Sequence, residues 1–337
     1  MIKETGVHAK NLIKWAQNKD NVVVLTADLG SSCEVKEFSR LFPSRYYSMG
    51  VAEQNMVSWA AGMAREGYYP MLHTFSVFMY RRALDQIEMS VAYSNLPVAF
   101  VGFLPGLMTP GGPSHQATND LAVLRSIPNL RIYETGDATD VETVLEEAYR
   151  QKGPVYIRML RGEIPRLFRD SPVNKYQPCR LLREGEDILI FSSGIMTDRI
   201  GQALEQLAES GLSIRHVHIS RIKPLETETI LRYIAGIKYG VLTVENHSII
   251  GGLGSAIAEI MSETGFSLPL KRIGIPDAYS RGGSFEYQCG LNNLTADQVV
   301  TAAKNLTGSN CREEDFQGTA AATEYFDLKM KQVVIKK

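Results

Sequence analysis

The sequence predicts an α/β protein made of two consecutive domains, each built on a mostly parallel β-sheet, with the second domain the smaller. Three observations lead to this prediction. The chain has 337 residues and is 44% apolar, enough to bury two cores, because soluble domains seldom grow past roughly 250 residues. Apolar runs of strand length alternate with helical patterns in both halves. A stretch without periodicity separates the two halves.

The first domain is placed at residues 1–162. Strands that are apolar throughout and separated by helices are typical of a parallel sheet covered on both faces. Its strands are predicted at Asn21–Ala27, Val98–Phe103, Leu130–Tyr133 and Val155–Met159, and its helices at Val7–Asn18, Ala52–Glu66, Val77–Tyr93, His115–Arg125 and Thr139–Arg150.

A linker is predicted at residues 163–183, where prolines and mixed charge replace the periodic pattern. The second domain follows at residues 184–307, and residues 308–337 form a tail without a derivable role. Strands are predicted there at Asp187–Ser192, Ile214–Ile219, Gly240–Glu245 and Leu270–Ile275, and helices at Asp198–Ser210, Thr227–Ala235, Leu253–Glu263 and Ala296–Leu306.

The overall charge narrows the class of partner. The formal net charge is −1, and the body of the chain has no basic block, which argues against nucleic acid or an anionic membrane surface. Four cysteines at positions 33, 179, 289 and 311 are too far apart for a zinc or redox motif and read as reduced thiols. The start has no leader pattern and no window is long enough to span a membrane, so we expect a cytoplasmic protein.

The first candidate site residue is Glu53. It lies near the start of the predicted helix Ala52–Glu66, on which Ala60, Ala61 and Gly62 leave one side almost bare. An acidic residue in a first helical turn commonly complements the helix dipole, which contributes under about 1 kcal/mol. Glu53 alone therefore does not establish a catalytic site.

Two aromatic residues follow in what we predict to be a loop, His73–Phe78. Phe75 and Phe78 are spaced three apart and precede Arg81 and Arg82. Such a pair either belongs to the core or offers a face on which a flat heterocycle stacks.

A stiff loop rich in glycine and proline, Pro105–Gln116, carries His115 between a buried strand and a predicted helix. Ligands of open α/β sheets bind outside the carboxyl ends of the strands, where this loop lies. Arg158 and Arg161 flank the end of another strand and are suited to clamp a phosphate or carboxylate, or to form ordinary ion pairs.

These motifs together carry a resemblance. Ser48-Met-Gly-Val-Ala-Glu-Gln-Asn55, Phe75-x-x-Phe78, Gly112-Pro-Ser-His-Gln116 and Gly153-Pro-Val-Tyr-Ile-Arg-Met-Leu-Arg161 occur in the order and at the distances found in the pyrimidine-binding domain of transketolases. Deoxyxylulose-phosphate synthases share the pattern. The second half, with Val244-Glu-Asn-His247, resembles the transketolase C-terminal domain.

The resemblance also shows what this chain lacks. Transketolases hold the diphosphate of thiamine diphosphate through Mg²⁺ in a further domain with a Gly-Asp-Gly motif, and that motif is absent from this sequence. The chain therefore resembles the C-terminal subunit of a split transketolase. The resemblance implies a separate N-terminal subunit that holds the diphosphate and the Mg²⁺ ligands, an α2β2 heterotetramer, and transfer of a two-carbon ketol unit from a ketose or ketose phosphate to an aldehyde or aldose acceptor.

On the cofactor side, Glu53 matches the catalytic glutamate that bonds a pyrimidine nitrogen of thiamine diphosphate and so supports formation of its reactive carbanion. Phe75 and Phe78 match the aromatic pair that packs on the pyrimidine. Arg81 stands where transketolases place a further aromatic residue.

On the substrate side, His115 matches the catalytic-loop histidine that contacts the donor hydroxyl groups. Arg161 matches an arginine that binds the sugar phosphate, and Arg158 has a counterpart in the synthases. Ser32 matches a serine at the phosphate end of the acceptor channel.

Three positions depart from the family pattern. Gly111 replaces an acidic residue that reads a donor hydroxyl, Phe103 replaces a histidine, and Leu104 stands at the place of a phosphate-binding arginine of the synthases. A site without such polar groups no longer discriminates strongly for the hydroxyl they bound. The donor is therefore not predicted to be a standard one.

Two alternatives remain at this point. The β subunit of a 2-oxo acid dehydrogenase decarboxylase component has a similar length and architecture, and would act with a lipoyl-bearing partner. A non-catalytic scaffold that regulates a complete enzyme would not need the Glu53, Phe75 and Phe78 set.

Overall fold

Two mostly parallel sheets organise the chain in a computed structural model that describes residues 2–168 and 175–308. The strands are β1 (Lys3–Thr5), β2 (Val22–Thr26), β3 (Tyr46–Ser48), β4 (Tyr69–Phe75), β5 (Ala99–Phe103), β6 (Arg131–Glu134), β7 (Val155–Met159), β8 (Glu163–Pro165), β9 (Cys179–Arg183), β10 (Ile188–Ser192), β11 (Ile214–Ile219), β12 (Arg221–Lys223), β13 (Gly240–Ser248) and β14 (Leu270–Ile275).

The helices lie between and around these strands. They are α1 (Val7–Ala16), α2 (Lys36–Leu41), α3 (Glu53–Arg65), α4 (Ser76–Asp85), α5 (Asp120–Leu124), α6 (Ala138–Arg150), α7 (Met196–Arg199), α8 (Gly201–Glu209), α9 (Thr227–Ile234), α10 (Leu253–Glu263), α11 (Phe285–Leu291) and α12 (Ala296–Gly308). A 3₁₀ turn at Pro43–Arg45 precedes β3, and a π-helical segment at Gln86–Ala92 follows α4.

The first sheet has seven strands in the order β12-β6-β7-β5-β4-β2-β3. All neighbours in it are parallel except β12 and β6. Every residue of β2, β5 and β7 is buried, as expected for strands with helices on both faces. The second sheet has the order β14-β13-β10-β11-β9, and only β9 is antiparallel to its neighbour. The predicted fold class, two consecutive α/β domains with mostly parallel sheets, is confirmed.

The two domains share structure at their junction. β12 follows the second domain's β11 in sequence but pairs with β6 of the first sheet. One cluster of buried side chains includes Leu25 and Phe100 of the first domain together with Phe191 and Ile257 of the second. The junction is therefore a packed interface.

Two predicted elements were wrong. The segment predicted as a loop at His73–Phe78 is the end of β4 followed by the first turn of α4. The helix predicted at His115–Arg125 is reduced to α5, because the backbone of Ala117 and Thr118 is bonded to Gly106 and Ser248 instead. The stretch predicted as a linker, residues 163–183, has β8 and β9 at its two ends. Of the tail predicted at residues 308–337, all but Gly308 lies outside the described residues.

No helix within residues 2–168 and 175–308 is long and apolar enough to cross a membrane.

Candidate active site

The predicted site residues follow five neighbouring parallel strands. Ser32 follows β2, Glu53 follows β3, Phe75 ends β4, His115 follows β5 and Arg161 follows β7. Parallel strands bring their carboxyl ends to one edge of the sheet, which is where α/β sheets bind ligands. The first sheet thus explains why residues far apart in sequence lie at one edge.

Glu53 is the first residue of α3, and its side chain is 2% exposed. The carboxylate is not isolated, because Arg82 donates a hydrogen bond from Nη1 to its Oε1 at 2.7 Å. A cavity of about 420 Å³ opens beside the pair and is lined by Val51–Asn55 and Arg82. A buried carboxylate at an open cavity can exchange a hydrogen bond or a proton with a ligand.

An aromatic cluster lies beside this carboxylate. Phe75 and Phe78 stack with ring centroids 5.8 Å apart at 26°. The ring of His115 meets Phe78 edge-on at 5.3 Å. On the other side, the Arg82 guanidinium lies 4.0 Å from the centre of the Phe78 ring. Ring contacts therefore join Phe75, Phe78 and His115, and Arg82 connects this cluster to Glu53.

The loop that carries His115 is held from both domains. Arg81 donates hydrogen bonds to the carbonyl oxygens of Pro113 at 3.0 Å and Gln116 at 3.2 Å. The Gln116 side-chain amide donates to the carbonyl of Arg281 in the second domain at 3.0 Å. Arg81 thus contacts the loop that carries His115, and its hydrogen bonds go to Tyr80, Pro113 and Gln116.

His115 also depends on a glycine. A Cβ at Gly111 would lie 2.8 Å from His115 Cγ, closer than real Cβ contacts allow. The acidic residue that the family carries at this position would force the His115 ring to move. The observed position of the His115 ring therefore requires a glycine at position 111.

Ser32 and Arg161 contact each other at a second cavity, which is lined mainly by polar residues. Arg161 donates from Nη1 to the Ser32 carbonyl oxygen at 2.6 Å. A cavity of about 280 Å³ lies at this segment and is lined by Asp28–Ser32, Lys36, Ser39 and Tyr46. Lys36 and Asp28 both line this cavity, and Arg161 lies next to it through its bond to Ser32.

Arg158 requires a correction, because its geometry does not fit substrate binding. Its side chain is 0% exposed. Its guanidinium forms ion pairs with the buried carboxylates of Asp120, at 3.0 Å, and Glu134, and it donates to the carbonyl of Asn246 at 3.0 Å. Asn246 belongs to β13, so Arg158 fastens the two domains together.

Two of the departures from the family lie at the end of β5. Phe103 is fully buried and packs against the rings of His8 and His73 at 5.3 and 6.2 Å. Burial lowers the pKa of His73 to about 4, which leaves it neutral. Leu104 has a φ of +53°, which is sterically unfavourable for a residue with a large side chain.

Sequence reasoning named Arg82 but gave it no role at the site. It lies four residues after Phe78 on one helix, and residues at this spacing share a helix face. That spacing was the signal in the sequence that could have placed Arg82 beside Phe78. A guanidinium on the Phe78 ring also reaches Glu53. Arg81, one position earlier, points about 100° away around the helix.

In the described part of the chain, no group of three or more His, Cys, Asp or Glu side chains is placed to hold a metal ion. A larger cavity, of about 700 Å³, lies between α1 and α6 and is lined by Trp15, Lys19 and Glu146, among others. It includes none of the predicted site residues.

The fold and the site define a class: a two-domain α/β subunit that offers a buried carboxylate and a stacked aromatic pair at one sheet edge. The chain belongs to the transketolase family. Residues 3–166 match the family model of the transketolase pyrimidine binding domain, and residues 178–299 match that of the transketolase C-terminal domain.

Relatives of similar length support this assignment. A transketolase family protein of Sinorhizobium fredii is 39% identical over 86% of this chain and 84% of its own. A 6-deoxy-6-sulfo-D-fructose transketolase subunit of a Clostridium species is 38% identical, over 88% of this chain and 92% of its own. A solved structure described as a split gene transketolase, an inactive β4 tetramer, matches with a TM-score of 0.79 at 35% identity, covering 89% of this chain and 96% of its own.

Proposed function

We propose that this chain is the C-terminal subunit of a split, thiamine diphosphate-dependent transketolase. It acts with a separate subunit that binds the diphosphate, and together they transfer a two-carbon ketol unit from a ketose or ketose phosphate to an aldehyde or aldose. The observation that carries the proposal is one set of contacts at the carboxyl edge of the first sheet. Ring contacts join Phe75, Phe78 and His115, and Arg82 links Phe78 to Glu53.

These residues fit the pyrimidine part of the cofactor. A flat aminopyrimidine requires an aromatic face and a polar partner at its rim. Phe78 and Glu53 offer these two features, with the Arg82 guanidinium in contact with both, and an open cavity is lined by Glu53 and Arg82. When bound, thiamine diphosphate would supply the carbon nucleophile that two-carbon transfer needs, and Glu53, Phe75 and Phe78 would hold its pyrimidine. The diphosphate and its Mg²⁺ are assigned to the partner subunit.

Each residue of this chain has a distinct task. The Glu53 carboxyl group hydrogen-bonds a pyrimidine nitrogen and exchanges a proton with it, while Phe75 and Phe78 bind the ring and exclude water. His115 orients donor hydroxyl groups. Arg161, beside Ser32, binds the anionic end of the substrate through charge-assisted hydrogen bonds. Arg158 has no place in this set.

Assembly as an α2β2 heterotetramer is part of the proposal. Apolar side chains are exposed on and near α3 and the π-helical segment: Val51 is 71% exposed, Trp59 51%, Met89 54% and Tyr93 79%. Exposed apolar side chains around one site favour a protein partner. The neighbouring split-gene structure, which is an inactive β4 tetramer, supports self-association of this type of chain.

The donor is proposed to differ from standard ketose phosphates. Gly111 has no side chain to read a donor hydroxyl, and Phe103 is withdrawn into the core. Among the relatives, one is named for a sulfonated deoxy sugar, which makes modified ketoses a first panel to assay. Steady-state KM values across such donors rank the candidates, and a clear preference for an unmodified ketose phosphate would contradict this part of the proposal.

The direct test is reconstitution. This chain is co-expressed with the subunit encoded beside it, and two-carbon transfer is assayed with Mg²⁺ and thiamine diphosphate. Glu53→Gln keeps the shape of the side chain but removes its proton transfer, so kcat falls by about 10²–10⁴-fold. Glu66→Gln, at the exposed C-terminal end of the same helix, is the matched control and retains wild-type turnover. Undiminished turnover by Glu53→Gln would refute the role of Glu53, and a complex that binds no cofactor would favour a scaffold.

A further inference from the structure

We propose that Arg82 occupies the pyrimidine position of the cofactor site and must leave it when the cofactor binds. The inference rests on the proposed function and adds a residue that sets the affinity of the site for its cofactor. The Arg82 guanidinium makes both contacts that the proposed function gives to the pyrimidine. It lies 4.0 Å from the centre of the Phe78 ring and donates a hydrogen bond to Glu53 Oε1 at 2.7 Å.

A guanidinium is suited to this position. It is planar, carries hydrogen-bond donors at its rim and stacks on aromatic faces. An aminopyrimidine is also planar and also presents polar groups at its rim. Since the proposed function places the pyrimidine on Phe78 and against the Glu53 carboxylate, where Arg82 lies, the two groups exclude each other.

The Arg82–Glu53 ion pair stabilises the subunit when no cofactor is bound. Glu53 has a side chain that is 2% exposed, and a buried carboxylate without a partner is costly. Arg82 provides that partner. Its own side chain is 44% exposed, so the guanidinium can turn into the adjacent cavity of about 420 Å³ and on to solvent without disrupting packing.

Competition by Arg82 means that cofactor binding includes the cost of breaking this pair. An exposed Arg that did not touch Glu53 would leave cofactor affinity unchanged. An Arg that stayed on Glu53 in the bound state would instead strengthen or position the cofactor. The three cases therefore predict different changes in the Kd for the cofactor when Arg82 is replaced: no change, an increase, and, for the proposed competition, a decrease.

The first experiment measures thiamine diphosphate binding, in the presence of Mg²⁺, to the complex of this chain with its partner subunit. Titration calorimetry compares wild type with Arg82→Met, which keeps the length of the side chain without its charge. We expect Arg82→Met to lower Kd by about tenfold. Arg150→Met is the matched control, because Arg150 and Glu146 form an exposed ion pair within α6, away from α4. We expect this control to leave Kd unchanged.

The second experiment uses thermal unfolding of the full chain alone. Arg82→Met lowers Tm by about 2 °C because Glu53 loses its partner, and the double variant with Glu53→Gln restores the wild-type value. In the complex saturated with thiamine diphosphate, the Arg82→Met penalty disappears, since wild-type Arg82 has already left Glu53.

The outcomes separate the two proposals. A wild-type complex that does not bind thiamine diphosphate overturns the proposed function and this inference with it. Binding by wild type that Arg82→Met leaves unchanged or weakens overturns this inference alone. A Tm penalty that persists at saturating cofactor also overturns it, because Arg82 would then still hold Glu53.

Discussion

Replacing Arg158 by methionine separates a structural role from substrate binding. The variant keeps the length of the side chain and removes a charge that is 0% exposed. Asp120 and Glu134, with side chains 0% and 2% exposed, then lose their cation. Breaking a buried ion pair on one side costs about 3–5 kcal/mol. Since domains are stable by about 5–15 kcal/mol, this is a large part of the total.

Urea unfolding of the full chain, followed by tryptophan fluorescence, measures this loss. Arg150→Met is the control, because its exposed pair with Glu146 contributes under about 0.5 kcal/mol. Arg158→Lys keeps the charge and loses part of the hydrogen-bond geometry, so its midpoint lies between those of wild type and Arg158→Met. A normal midpoint for Arg158→Met, together with a raised KM for a phosphorylated substrate, would refute the reasoning.

Two further predictions follow from other contacts. Gly111→Ala places a Cβ 2.8 Å from His115 Cγ, so the ring shifts and kcat/KM of the reconstituted enzyme falls about ten- to a hundredfold. Gly201→Ala is the control, because nothing lies within 4 Å of a Cβ at that position. Equal effects of the two substitutions on kcat/KM would contradict the prediction. Burial lowers the pKa of His73 to about 4, against about 6.5 in the unfolded chain. The unfolded state therefore binds a proton between about pH 6.5 and 4 that the folded state does not, and stability falls by up to about 1.4 kcal/mol per pH unit as the pH decreases through this window. His73→Gln reduces that slope in urea unfolding measured at pH 7 and pH 5.5, and an unchanged slope would contradict it.

The elements with strong periodicity were predicted well because their patterns are local. β7, α10 and β14 have the predicted bounds, and α3 differs by one residue at each end. β4 was missed because Pro70 and His73 are atypical of a buried central strand, although both lie in one here. β12 was also missed, since three residues give no period, and its pairing with β6 depends on how the two domains meet.

By itself, the sequence determined the two α/β domains and brought Glu53, Phe75, Phe78 and His115 forward as one set, because ordered motifs and strand ends can be read along the chain. Only the tertiary structure decided what each arginine does. Arg81 and Arg82 are neighbours in sequence, yet one holds the loop that carries His115 and the other pairs with Glu53. The physical reason is that adjacent helical residues point about 100° apart, so their partners are chosen by the elements packed around the helix, which no local pattern records.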